Sequence, residues 1–342
     1  TWAAPKRELV GDGLGFFREL TDRGLIIAPG QKTRNRLTEY LLSSPVDRRV
    51  TCTEKTGWHN GGVYVLPDKT IGGTPDHEVI FQSEDSAGNP YETAGTLAEW
   101  REHVSSLCRG NSRLILAIST ALASTLLKIT GDENGGVHIV GASSTGKTTA
   151  GTVAGSVFGG ASMKQTWNAT LNGLGATAIT FNDAVMILDE LSQCEPRAAG
   201  ETAYLLSNGV EKGRANRNGS MKARRRWRMM FLSNGEIDLA QHLRSDGKKV
   251  KAGQGVRLLT IPADAGACLG LFEDLHGHPN GAAFADTLKA NSLEHYGTAG
   301  PTFIEKIAGR QNEVAGQITE LRKQFLNEHM PSGAESQVGR AA

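Results

Sequence analysis

Gly141-Ala142-Ser143-Ser144-Thr145-Gly146-Lys147-Thr148, followed by Thr149, is the stretch on which the reading of this chain turns. It fits the pattern G-x-x-x-x-G-K-[ST] and lies between an apolar run, Val137 to Val140, and a segment of helical character from Lys147 to about Phe158. The pattern has a physical basis. Gly141 and Gly146 let the backbone curl without Cβ clashes, so that successive N–H groups can aim at phosphate oxygens. A helix starting at Lys147 turns its positive N-terminal end toward the same place. Lys147 has the reach for β and γ phosphates, and the Thr148 hydroxyl suits Mg²⁺. Residues 141–149 are therefore expected to form a site for ATP and Mg²⁺. The bland alternative is a chance match in a chain with 42 glycines, and the flanking strand and helix weigh against it.

The next signal is Ala184-Val-Met-Ile-Leu-Asp189-Glu190. Five apolar residues predict a strand buried on both faces, with two carboxylates at its C-terminal end, where parallel sheets bind ligands. Asp189 would hold Mg²⁺, and Glu190 would orient the attacking water. The alternative is an acidic pair that caps a helix beginning near Leu191. A third apolar run, Arg228 to Leu232, leads to Ser233-Asn234. Asn234 can hydrogen-bond a γ phosphate or the lytic water, or else it is an ordinary turn residue before Gly235. Arg257 opens a fourth run, Val256 to Ile261. It fits either an arginine reaching the γ phosphate of a neighbouring subunit or a strand-end Arg paired with a surface carboxylate. Arg244, Lys248, Lys249 and Lys251 are weaker rivals for that role.

Between the acidic and Asn234 strands, residues 212–228 hold eight basic side chains and no acidic one. Lys212, Arg214, Arg217, Lys222, Arg224 and Arg225 are candidate contacts to a nucleic-acid backbone, with Asn218-Gly219 as a hairpin turn. A solvated charged loop is the alternative. The whole chain is nearly neutral, at +1, so this is a local signal.

The 342 residues suggest two or three domains. An N-terminal mixed α+β part is expected over 1–95, with strand pieces at Leu25 to Ala28 and Val63 to Leu66, Gly57-Trp58-His59 as a strand end, and a linker at Ser83 to Pro90. A helical connector follows over 96–130, with helical spacing from Leu97 to Ile129, then an α/β domain with a mostly parallel sheet over 131–265. Helices, including Val314 to Phe325, and a mobile tail fill 266–342. Cys52, Cys108, Cys194 and Cys268 lie too far apart for a zinc motif, which favours reduced thiols and a cytoplasmic home. His276 and His278 lack a third ligand, and Trp58 and Trp167 are expected as core anchors. No membrane span or G-x-S-x-G elbow is visible. The missing initiator Met suggests a piece of a longer protein.

The segments 141–149, Trp167-Asn-Ala-Thr170, Leu188-Asp-Glu-Leu191, Tyr204-Leu-Leu-Ser-Asn-Gly209 with Arg214, and Leu232-Ser-Asn-Gly-Glu236 resemble domain-of-unknown-function family 927. That family occurs in replicative helicases and primase-helicases of bacterial mobile elements and phages. More widely, the layout is similar to AAA+ ATPases, above all superfamily 3 and MCM-like helicases with Walker A and Walker B motifs. The resemblance implies an ATP-hydrolysing ring, often a hexamer, with single-stranded or forked DNA in its pore and a primase or initiator as a possible partner. It places Lys147, Thr148, Asp189, Glu190, Asn234 and Arg257 in the roles argued above. A nucleotide-gated DNA-binding module and a P-loop phosphotransferase are the competing classes. The basic segment is unexplained in the last.

Overall fold

Ala184, Val185, Met186, Ile187 and Leu188 are all at most 1% exposed. Successive strand residues point to opposite faces, so burial of all five requires cover on both sides of the sheet. In the computed structural model, which describes residues 3, 9–10, 13–45, 50–74, 78–83, 88–211, 213, 224–245 and 257–330, this run is a central strand of a five-stranded parallel sheet. The described strands in chain order are β1 (Thr51–Thr53), β2 (Gly57–His59), β3 (Val63–Val65), β4 (Thr70–Ile71), β5 (Val79–Phe81), β6 (Gly135–Val140), β7 (Lys164–Thr166), β8 (Ala184–Asp189), β9 (Met229–Gly235) and β10 (Leu258–Pro262). The large sheet runs β10-β6-β9-β8-β7. The strand expected over 228–232 is observed at Met229–Gly235, three residues beyond Leu232, so that it takes in Asn234, and β7 is a short edge strand that the apolar pattern does not announce.

The helices are α1 (Leu14–Asp22), α2 (Gln31–Ser43), α3 (Leu97–Trp100), α4 (Ser112–Ala123), α5 (Leu127–Thr130), α6 (Lys147–Ser156), α7 (Leu171–Thr180), α8 (Pro196–Asn208), α9 (Leu239–Ser245), α10 (Gly281–Glu294), α11 (Ala299–Ile307) and α12 (Gln311–His329). Helix α6 buries Ala150, Val153 and Ala154 under the sheet, and Gly151 lets it approach Ile187 closely. A fully buried side chain the size of Val153 or Ile187 contributes about 1.5–3 kcal/mol to such a core.

Two expectations need correction. The segment 97–129 is not one helix. It runs through α3, a π turn at Arg101–Ser105 and a 3-10 turn at Ser106–Cys108, breaks, and resumes as α4 and α5. The break lies at Gly110, whose φ of +79° no helix accepts, and at buried Asn111. Leu25 to Ala28 is not a strand either, and Ile26 there is 96% exposed, so no sheet face holds it. Half of the proposed linker, residues 84–87, and the whole of the proposed mobile tail lie outside the described residues.

The N-terminal part seats its small β2-β3-β4 sheet against the end of the large sheet away from residues 141–146. Trp58, 2% exposed, donates its indole N–H to Thr125 O at 2.8 Å and its backbone N–H to Asp183 Oδ2 at 2.9 Å. Lys128 Nζ donates to Trp58 O, and the Tyr64 hydroxyl donates to Asp183 O at 2.7 Å. Asp183 Oδ1 is buried with no hydrogen-bond partner among the described residues. Burial pushes the Asp183 carboxyl up to about 6, against the opposing pull of the Trp58 N–H and the nearby Lys128.

A raised carboxyl pKa means the folded state binds a proton that the unfolded chain releases near pH 3.8. Stability from this group is therefore present in acid and lost as pH climbs through about 4 to 6. Relative to Asp183→Asn, the wild type should lose on the order of 1–3 kcal/mol of unfolding free energy between pH 4 and pH 7. Urea unfolding of both proteins across that range measures the difference, and a pH-independent difference would contradict it.

Candidate functional site

The C-terminal ends of β6, β9 and β8 lie side by side. The register pairs Val140 with Gly235, Ile139 with Asn234, and Leu188 with Ser233. The loop after β6, the amide of Asn234 and the acids after β8 therefore share one edge of the sheet. One strand separates loop from acids, a spacing of roughly 10 Å.

The loop 141–146 is held from several sides. Gly141 N–H donates to Gly235 O at 3.2 Å, and Thr145 Oγ1 donates to Ala142 O at 2.9 Å. Lys147 Nζ turns back to Gly141 O at 2.8 Å and Ala142 O at 2.6 Å. The segment after β10 braces the loop: Leu271 N–H donates to Thr145 O at 2.8 Å. Glycine is required at three points here, the first being Gly141, where a Cβ would lie 2.9 Å from Ala263 Cβ. Gly146 has φ +91°, and a Cβ on it would press on Phe272 and Leu271 at 3.1–3.2 Å. Gly270 has φ +68°, and its Cβ would sit 2.7 Å from Thr145 O. The brace is anchored in turn by Asn111, whose Oδ1 accepts from Glu273 N–H at 2.8 Å and Asp274 N–H at 3.1 Å. That anchor is why the segment 97–129 breaks where it does.

Thr148 lies exposed on the first turn of α6, in reach of the loop's open side. Thr149 differs from expectation. It is fully buried, and its N–H is bonded to Gly146 O at 2.9 Å, so it faces the core rather than the loop.

At the acidic end, Asn234 is 3% exposed and bridges the two carboxylate residues. Its Nδ2 donates to Asp189 Oδ1 at 2.7 Å, and its Oδ1 accepts from the Glu190 N–H at 3.2 Å. Glu190 sits at φ 53°, in the left-handed region, and its carboxylate accepts from the Ser192 hydroxyl. The helix beginning at Leu191 is a single 3-10 turn over Leu191–Gln193, with Glu190 at its N-cap position but without a side-chain cap hydrogen bond, and α8 starts only at Pro196. Asp189 Oδ2 is paired with Lys164 Nζ at 2.9 Å.

Lys164 and His138 are site-edge residues that sequence reasoning missed. Trp167 Nε1 donates to Ser233 Oγ at 2.9 Å, and His138 Nδ1 lies 2.9 Å from the same oxygen. His138 Nε2 is 3.0 Å from Ile237 O, so that nitrogen must carry the proton and Ser233 donates to Nδ1. Burial pushes the His138 pKa down, and this chain of bonds needs the neutral ring. A lone His inside an apolar run carries no sequence signal for this. Trp167 and Trp58 are core anchors, as expected.

Arg257 lies at the start of β10, the sheet end opposite the loop, and donates to Asn208 Oδ1 at the end of α8. It does not join its own chain's site, and its partner is an amide, not a carboxylate. The described ends of the basic segment meet nearby: Val210 bridges Arg226 antiparallel, and Glu211 N–H donates to Arg225 O at 2.9 Å. Arg228 turns inward to Leu127 O. Arg224 is exposed. Lys212, Arg214, Arg217, Lys222, the Asn218-Gly219 turn, Lys248, Lys249 and Lys251 lie outside the described residues. His276 and His278 bond backbone carbonyls of Arg109 and Leu275, and both rings lie against Phe284. Among the described residues no group of three His, Cys, Asp or Glu could hold a metal, and no helix is long and apolar enough to cross a membrane.

Fold and site together define an α/β protein with a P-loop-like core: a parallel sheet flanked by helices, a glycine loop before a helix, and acids two strands away. The family described as "Domain of unknown function (DUF927)" matches residues 1–226, and the chain belongs to that family. A search of curated proteins returned no match. Among solved structures, one described as "SCCmec type IV Cch - active helicase" is similar at TM-score 0.69 and 18% identity. The match covers 95% of this chain and 59% of that one, so this chain spans about three-fifths of that structure's length. The likeness is one of fold.

Asn234→Ala would leave Asp189 Oδ1 and the Glu190 N–H without their buried partner. The expected cost is about 1–3 kcal/mol of unfolding free energy. Denaturant unfolding measures it, and a neutral substitution would show that the bridge does not hold the strand ends.

Proposed function

We propose that this chain carries the motor of an ATP-dependent DNA helicase or translocase. The observation that carries the reading is the shared strand-end edge, where the glycine loop, Asn234, Asp189 and Glu190 converge. The likeness to the helicase structure supports it at the level of fold. The position of β9 between the loop strand and the acid strand supports the AAA+-like form, because Asn234 then stands between them.

The backbone N–H groups of residues 142–146 and the start of α6 would receive the phosphates, with Lys147 leaving its loop carbonyls for the β and γ oxygens. Thr148 and Asp189 fit Mg²⁺: a hydroxyl and one carboxylate are hard oxygen donors, and nucleotide phosphates and water complete such a shell. Bound Mg²⁺ would neutralise charge on the phosphates. Glu190 would orient the attacking water, and the second Nδ2 proton of Asn234 would contact it or the γ phosphate. The His138-Ser233-Trp167 chain holds that strand end beneath them.

Arg257 stands at the far end of the sheet, so it would serve a neighbouring subunit's site in a ring, with hexamer the expected size. The basic segment emerges near that same end, where it would follow the backbone of single-stranded or forked DNA. A primase or initiator is the partner class that such a replicative motor of a mobile element or phage would need.

Steady-state ATP hydrolysis with and without single-stranded DNA tests the reading. DNA should stimulate turnover, and Lys147→Ala should abolish it. Glu190→Gln should lower turnover by about 10²–10⁴-fold while retaining ATP. An Arg224→Ala/Arg225→Ala pair should weaken the stimulation and its salt dependence. ATP binding without DNA-stimulated turnover would instead favour a nucleotide-gated module.

A further inference from the structure

Both oxygens of the Asp189 carboxylate are engaged, and by unlike partners. Oδ1 accepts from the amide of Asn234, a residue 3% exposed. Oδ2 is paired at 2.9 Å with the ammonium of Lys164, whose side chain is 46% exposed. Lys164 comes from the edge strand β7, which pairs with β8 so that Thr166 faces Asp189 and Lys164 faces Ile187. Its side chain therefore runs about two residues along the strand, roughly 6–7 Å, to reach the strand end. Each oxygen keeps a second lone pair, so what opposes an incoming cation at Oδ2 is the positive charge of the Lys164 ammonium 2.9 Å away. The two bonds differ in what breaking them costs. Removing the Asn234 bond strands an oxygen of a half-buried carboxylate and a buried amide. Releasing Lys164 returns an ammonium to water.

We propose that Lys164 is a resident counter-cation of Asp189 that Mg²⁺ displaces from Oδ2, so that Lys164 sets how much Mg²⁺ nucleotide binding requires. The inference rests on the reading of Asp189 as a Mg²⁺ ligand. Lys164 acts here as a positioning residue: it aligns the carboxylate before the metal arrives and competes with it afterwards. The Asn234 amide holds Oδ1 in place during the exchange. A partly exposed ion pair of this kind is worth a factor of about two to five in an equilibrium.

The test is a Mg²⁺ titration of binding of a fluorescent ATP analogue, read as fluorescence without turnover in the Glu190→Gln background. Lys164→Met keeps the aliphatic stem and removes the charge, and Lys164→Arg restores it. Lys323→Met on α12 controls for net charge, and Asp189→Asn tests the underlying assignment. The Mg²⁺ midpoint should fall about two- to five-fold in Lys164→Met and stay near the parent value in Lys164→Arg and Lys323→Met. An unchanged or raised midpoint in Lys164→Met, beside a raised midpoint in Asp189→Asn, would overturn the proposal and leave the Mg²⁺ site standing. An equal fall in Lys323→Met would also overturn it. A midpoint indifferent to Asp189→Asn would remove the site assignment itself, and the proposal with it. Thermal unfolding without Mg²⁺ confirms that each variant is folded.

Discussion

The Asn234 carboxamide is the interaction on which the rest of the site depends. It sits in the middle strand of three, buried, and one planar group satisfies an Asp189 oxygen and the Glu190 N–H together. A half-buried carboxylate beside an orphaned backbone donor would be costly, so this single amide lets two acids stand at the strand end in a defined geometry. It also makes the positions of loop and acids interdependent, because the same strand supplies Gly235 O to the Gly141 N–H. Glu190 can hold a left-handed backbone angle because its flanks are fastened in this way.

The loop has a comparable external support. Leu271, Gly270 and Phe272 press on Thr145 and Gly146, and Asn111 ties that brace to the start of α4. A flexible glycine-rich loop would otherwise give up much of its order, since glycine loses the most conformational freedom on folding. The N-terminal part docks at the other end of the sheet through Trp58 and Asp183, so its attachment leaves the strand-end edge open.

Much of this was legible in the sequence, and for physical reasons. The glycine loop, the run 184–189 and Asn234 are local patterns, in which residue type and neighbours already dictate strand, turn and exposed acid. Boundaries shifted where a tertiary contact took over. The helical spacing over 97–129 is real in α4, yet Gly110 and Asn111 interrupt it to anchor a segment over 160 residues away. Lys164 and His138 were silent because their partners, Asp189 and Ser233, are brought near only by strand order. Thr149 followed the motif in sequence but turns inward because its position on α6 faces the sheet. Leu25 to Ala28 misled because a short apolar run specifies burial only when a neighbouring strand is there to receive it.

The central claim is that the loop after β6 and the acids after β8 form one nucleotide site. Calorimetric titration of ATP into the wild-type chain, with and without Mg²⁺, tests it most directly when set beside Lys147→Ala. The account predicts saturable one-site binding that Mg²⁺ strengthens and that Lys147→Ala weakens at least tenfold. Binding that ignores both Mg²⁺ and Lys147→Ala, or no binding by a folded wild type, would contradict it.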